Sequence, residues 1–173
     1  MSPKKKIILS ITVLVVLLAG FVFVTFQKIY APTKGEKIAT YADPAKALLV
    51  IDVQEDYTGT RGKQPVPYTN GEGPIRIINE LIDRAPKAGV QVVYIRQIFD
   101  NNMLTRTFIG RSVEGTPGAE LDSRVKVING NVFTKKISDS FSNTLLETFL
   151  IKNRVNELYL AGLDAAYCVH KTA

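Results

Sequence analysis

Twenty consecutive residues from Ile7 to Phe26, IILSITVLVVLLAGFVFVTF, carry no charge, and KKK at 4–6 stands directly before them. As a helix rising about 1.5 Å per residue, such a run is long enough for the roughly 30 Å hydrocarbon core of a bilayer. A cleaved leader usually has an apolar core of only about 7–15 residues closed by a small-residue site, and IYA at 29–31 is a poor version of one. The reading is a signal-anchor over 7–26, with a basic cytoplasmic tail at 1–6. Lysines ahead of the span place the residues after Phe26 on the extracytoplasmic side, periplasmic or cell-surface. Secretion after cleavage is the alternative. Residues 27–46, polar and holding Pro32 and Pro44, read as a linker.

The net charge of +6 resembles a nucleic-acid binder until it is divided along the chain. Residues 1–46 carry a net +5 and residues 47–173 only +1. The basicity belongs to the tail, and no basic stripe marks the remainder, which excludes a nucleic-acid partner. With 46% hydrophobic and 22% charged residues, the chain has the composition of a globular protein. Its one cysteine rules out an intramolecular disulfide even in an oxidising compartment.

From Ala47 onward, short apolar runs alternate with amphipathic ones. ALLVID (47–52) is continuously apolar and closed by an acid, the pattern of a parallel strand buried on both faces. PIRIINELIDRAPKAG predicts a helix with Pro74 at its first position, a stripe of Ile75, Ile78, Leu81, Ile82 and Ala85, and a stop at Gly89. VQVVYIR (90–96) predicts a second strand, and a long connection follows at 97–124. A split or short third strand is expected around Val125–Ile128 and Val132–Thr134. DSFSNTLLETFLIKN predicts a second helix, capped by Asp139 or Ser138, with Phe141, Leu145, Phe149 and Leu150 on one side. ELYLAGL (157–163) completes a β-α-β-β-α-β order, which implies a parallel sheet with right-handed crossovers.

Ligands of such sheets bind beyond the carboxyl ends of the strands. Asp52, Lys135 or Lys136, and Cys168 fall at three of those ends. An acid can take the proton of a thiol, while an ammonium and a helix N-terminus favour the thiolate. Each residue alone also has an ordinary explanation, as a turn cap, a solvated lysine or a small buried hydrophobe.

LLVIDVQEDY, GTPGAEL, FTKKISDSF and LAGLDAAYCVHKTA, in this order and spacing, resemble the isochorismatase-like cysteine hydrolase superfamily, which includes nicotinamidases and isochorismatases. The resemblance implies a Rossmann-like three-layer α/β/α sandwich over 47–173 and a catalytic triad of Asp52, Lys135 and Cys168. Lys135 is preferred to Lys136 because the family lysine stands six residues before the Phe of FTKKISDSF. It further implies a cis peptide at Leu163–Asp164 and an oxyanion hole made by the backbone N–H groups of Asp164 and Cys168. Gln54 and Tyr57 are candidate pocket residues. The chemistry would be hydrolysis of a small-molecule amide through a thioester, with no cofactor; a homo-oligomer is compatible.

The chain also departs from that pattern. Nicotinamidases of the family hold a metal with an Asp and histidines, whereas this chain has only His170, so no metal site is expected. Ala165 and Ala166 replace the Thr-Asp common before the Tyr-Cys pair. Family members continue well past the cysteine, and five residues follow it here, so the hydrolase domain is expected to be C-terminally incomplete. A non-catalytic ligand-binding or interaction module tethered to the membrane is therefore the competing reading.

Overall fold

The computed structural model describes residues 2–30, 33, 35, 38–62 and 72–173. The chain divides into an N-terminal unit and a second unit from residue 32 onward. Pro32 of the expected linker lies outside the described residues.

The N-terminal unit is one helix, α1 (Pro3–Tyr30), longer at both ends than the uncharged run. Within Pro3–Thr25 its most apolar 18 residues reach a mean hydropathy of 3.1 and none of that stretch is buried, so the helix is long and apolar enough to cross a membrane. The hydroxyls of Thr12 and Thr25 donate to the carbonyls of Ile8 and Phe21 one turn back, so these polar groups are satisfied within the helix.

The second unit is built on four parallel strands: β1 (Ala45–Ile51), β2 (Val90–Gln97), β3 (Val132–Lys135) and β4 (Val155–Gly162), in the order β3-β2-β1-β4. Ile51 is paired with Ile95 on one side and Gly162 on the other, and Gln97 with Lys135. Those pairs bring the strand ends level. The central strands are apolar on both faces because both are covered. Leu48, Val50, Val92 and Tyr94 meet Ile75, Ile78 and Ile82 of α2 (Glu72–Arg84). Ala47, Leu49, Ile51, Val93 and Ile95 meet Leu146 and Leu150 of α3 (Thr144–Lys152).

The departures from expectation have local causes. Helix α2 begins at Glu72 rather than Pro74; Pro74 still lies in the first turn, where its missing N–H removes no helical bond. Leu81 falls off the buried stripe that Ile78, Ile82 and Ala85 keep. Asp139 caps a short 3-10 turn, Ser140–Ser142, by accepting from the Phe141 amide; Asn143 then caps α3 by accepting from Leu145. The late start rotates the helix, so Leu146 is fully buried and Leu145 is 66% exposed. Residues 125–128 form no strand. Their polar groups are taken instead by the buried Tyr94 phenol, which donates to the Lys126 carbonyl (2.8 Å) and accepts from the Ile128 amide (3.0 Å). The third strand is Val132–Lys135 alone.

Candidate active site

Each of the four strands delivers one part of the site. Asp52 is the first residue past β1; its amide still donates to the Ile95 carbonyl (2.9 Å) while its φ of +55° turns the chain out of the sheet. Gln97 ends β2 and Lys135 ends β3. Beyond β4, Gly162 has φ +134°, and a Cβ there would stand 2.0 Å from the Ile51 carbonyl oxygen, so only glycine fits. The Leu163 amide then donates to that same oxygen (2.9 Å). A non-proline cis peptide joins Leu163 to Asp164, and the turn reaches Cys168, the first residue of α4 (Cys168–Thr172).

The Lys135 ammonium sits at the centre. Its Nζ is 2.8 Å from Asp52 Oδ2, 2.8 Å from Gln97 Oε1 and 3.2 Å from Cys168 Sγ. The Lys135 side chain is sealed from solvent, Asp52 is buried and Cys168 half-buried. A buried lysine is tolerable when its donors are paired with acceptors of opposite charge or strong dipole. Lys136, the rejected neighbour, points to solvent and pairs with Asp100 at 2.5 Å. The structure thus brings Asp52, Lys135 and Cys168 together and leaves Lys136 outside.

Burial pushes the Asp52 carboxyl above its ordinary range, against the pull of Lys135 and a hydrogen bond with Cys168. Burial also pushes the Cys168 thiol up to about 11, with the Asp52 charge adding to the rise and Lys135 opposing it. The expected favouring of the thiolate is therefore not the resting condition. Desolvation together with a neighbouring carboxylate outweighs one ammonium. Both shifts run toward the neutral form of the group.

Gln54 is fully buried and committed to the backbone: Nε2 donates to Gln97 O (3.0 Å) and Ala119 O (2.8 Å), and Oε1 accepts from Gln97 N (2.7 Å). It clamps the loop after β1 to β2 and to the turn at 117–119, which corrects the expectation of a pocket residue. Burial raises the Tyr57 phenol to about 12, against a hydrogen bond with Ser112 and with the nearby Asp52 and Cys168 charges adding to the rise. Two groups escaped sequence reading. Gln97 also donates from Nε2 to the Lys135 carbonyl (3.1 Å), so it grips that lysine at both ends. Its signal was a polar residue ending an apolar strand, as in Asp52. Thr172 donates to the Cys168 carbonyl (2.8 Å) and accepts from the Ser140 amide (3.1 Å), which fixes α4 to the turn before α3. A lone Thr near a chain end carried no such signal. His170 is exposed on α4.

A parallel sheet with helices on both faces, and an acid, a lysine and a cysteine at its strand ends, is the layout of a cysteine hydrolase of the α/β/α class. The sequence model of the isochorismatase domain matches residues 46–173, and the chain belongs to the isochorismatase family. An isochorismatase-family protein of Bacillus subtilis, YddQ, is 30% identical over 127 residues, 73% of this chain and 66% of that protein, so the chain spans just under two thirds of the relative's length. Among solved structures, a pyrazinamidase of Pyrococcus horikoshii in complex with zinc is 30% identical with a TM-score of 0.63, covering 75% of this chain and 76% of its own. A nicotinamidase of Bacillus subtilis is 27% identical with a TM-score of 0.60, over 74% and 76%. An N-carbamoylsarcosine amidase of Thermoplasma acidophilum is 25% identical with a TM-score of 0.58, over 74% and 73%.

The described residues of this chain offer no donor set for a zinc ion like the one in the Pyrococcus structure. Among the described residues no three His, Cys, Asp or Glu side chains converge, and the single histidine is exposed on α4. A zinc site needs three or four such ligands. The residues present do not fit the ion, and no step is routed through it.

Proposed function

We propose that the protein is a membrane-anchored cysteine hydrolase that opens the C–N bond of a small amide, with Cys168 as nucleophile, Asp52 as general base and acid, and Lys135 as their electrostatic support. The observation that carries this reading is the buried Lys135 ammonium bonded at once to the Asp52 carboxylate and the Cys168 sulfur. Asp52 takes the thiol proton as sulfur adds to the substrate carbonyl, so the charge that burial disfavours on sulfur is never long-lived. The developing oxyanion is met by the backbone N–H groups of Asp164 and Cys168. Collapse breaks the C–N bond, the leaving amine receives the proton from Asp52, and a thioester remains. Water, giving a proton to Asp52, attacks that thioester; the acid leaves and the proton returns to sulfur. Tyr57 borders the bound substrate.

The anchor is α1, inserted with Lys4–Lys6 in the cytoplasm and the hydrolase domain, 47–173, on the other side. The tether read from the sequence, 27–46, overlaps α1 through Tyr30 and β1 from Ala45, which leaves 31–44 for the connection. One observation favours the competing reading of a non-catalytic ligand-binding module: the upward shift of the Cys168 thiol. Release of ammonia from a panel of small primary amides separates the two. The full chain is expected to turn over at least one amide, and Cys168→Ala to lower that turnover by about 10³-fold or more. Undiminished turnover in Cys168→Ala would sink the assignment.

A further inference from the structure

In the long connection after β2, one short segment is built inside out: Thr105 is buried, while Met103, Leu104, Phe108 and Ile109 around it are exposed. Among the described residues, Met103 and Phe108, at 78% and 80% exposure, are the most exposed large apolar side chains of the second unit. Single apolar residues on a surface are ordinary, but a cluster of four on one turn is a patch, and patches mark contact sites.

The backbone under the patch is fixed. Asn102 accepts from the Thr105 amide through Oδ1 (2.9 Å) and from the Arg106 amide through its carbonyl (3.0 Å). Gly110, at φ +68°, closes the turn by donating to the Thr105 carbonyl (2.9 Å). At its base Phe99 donates to the Ser112 carbonyl (2.8 Å), Glu114 donates to the Phe99 carbonyl (2.9 Å), and Asn101 Nδ2 donates to the Glu114 carbonyl (2.9 Å). The two ends of the segment are thus stapled together, and the apolar side chains are held outward by a hydrogen-bonded frame.

Charge narrows the partner. Residues 101–112 hold Arg106 and Arg111 and no acid. Arg106 is exposed and bonded to Asn101 Oδ1 (2.6 Å), with no carboxylate against it among the described residues, and the flanking Asp100 is engaged by Lys136. A second copy docking through the same patch about a two-fold axis would set arginine against arginine. The phosphates of an anionic bilayer neutralise them instead, and segments that lie in a membrane interface combine large apolar side chains with Arg or Lys in this way. Proximity favours the same partner. The fourteen residues 31–44 join α1 to β1, and at no more than about 3.6 Å each they keep the start of the sheet within about 50 Å of a bilayer that α1 crosses.

We propose that the turn at 103–109 is a second membrane contact: Met103, Leu104, Phe108 and Ile109 enter the boundary between headgroups and acyl chains of an anionic bilayer, and Arg106 pairs with a lipid phosphate. This rests on the reading of α1 as an anchor and is independent of the hydrolase chemistry.

The chain has no tryptophan, so Phe108→Trp in the full chain puts a single reporter on the turn. The protein is reconstituted into vesicles of phosphatidylcholine and phosphatidylglycerol, with Tyr159→Trp, at an exposed position on β4, as the reference. Insertion to a depth of about 5–10 Å sets the Phe108→Trp ring beside the upper acyl carbons, so its emission is expected to shift to the blue and to fall by about twofold or more when those carbons are brominated. Tyr159→Trp emission is expected to stay unchanged, and adding Arg106→Glu or omitting phosphatidylglycerol to weaken the quenching at position 108. Phe108→Trp emission that is quenched by iodide in water and not by brominated lipid overturns the inference, as does equal quenching of Tyr159→Trp or quenching indifferent to Arg106→Glu. A blue shift that fades on dilution into excess vesicles, without quenching by brominated lipid, assigns the patch to a second copy and overturns it too. Extraction of the unaltered chain from the vesicles by alkaline carbonate retires the anchor; quenching of Phe108→Trp by added brominated vesicles then leaves the docking standing, and its absence ends both.

Discussion

Lys135 shows how one side chain can set the state of two others. Its ammonium draws Asp52 down and Cys168 down, yet both stay above their ordinary values because burial outweighs it. Replacing Asp52 by Asn removes a charge that raises the thiol, so the Cys168 pKa in Asp52→Asn is expected below the value of about 11 in the unaltered chain; in Lys135→Met it rises further. Thiolate absorbance followed across pH reads both shifts, and opposite signs would contradict the geometry. The same shift has a stability consequence. A thiol whose folded value is raised from 9.0 to about 11 favours the folded state below pH 9, and that contribution is lost as pH rises toward 11. Denaturant midpoints should therefore fall less between pH 9 and 11 in Cys168→Ala than in the unaltered chain. Asp52, Lys135 and Cys168 were singled out in the sequence by their place at or just beyond strand ends together with four ordered motifs, since each alone has an ordinary explanation. Gln54 misled for the same reason that Gln97 was missed: a polar residue at a strand end can be spent on the backbone or on a neighbour's side chain, and only the fold decides which.

The elements carry the site by how they stop. Gly162 ends β4 against the Ile51 carbonyl, with no room for a Cβ. Gly162→Ala should cost about 3 kcal/mol or more, at the severe end for one substitution, because backbone rather than a flexible side chain must move. Helix α4 is tied to the turn before α3 through Thr172, bonded to the Cys168 carbonyl and the Ser140 amide. Thr172→Val keeps the shape and removes these bonds. It should destabilise by about 1–3 kcal/mol, by leaving the Ser140 amide unpaired, and lower kcat more than it alters KM. Unfolding curves and steady-state kinetics on the two variants check both. The succession of strands along the chain and the two main helices were legible from apolar periodicity. Their boundaries were not, since Asn143 rather than Asp139 starts α3 and a tyrosine hydroxyl replaces the ladder at 126–128. Both depend on partners distant in sequence.

At the scale of the molecule, one unit is a helix fit for a bilayer and the other an α/β/α sheet of the isochorismatase family. If α1 spans a membrane in the orientation its lysines set, the protein is recovered with membranes and residues beyond Phe26 are cut by protease added from the extracytoplasmic side. Recovery in the soluble cytoplasm would contradict that placement. The sandwich and the family were readable from four ordered motifs; the buried contact of Ser112 with Asp56 was not, because it lies in a long connection with no periodicity to place it. The central claim is that Cys168, supported by Asp52 and Lys135, attacks a carbonyl carbon. Its most direct test is intact-mass analysis of the full chain quenched in acid during reaction with p-nitrophenyl acetate, followed by peptide mapping. The account predicts one acetyl group, carried as a thioester on Cys168, absent from Cys168→Ala and strongly reduced in Asp52→Asn; acetylation at neutral pH that spares Cys168, or that is equally fast without Asp52, would contradict it.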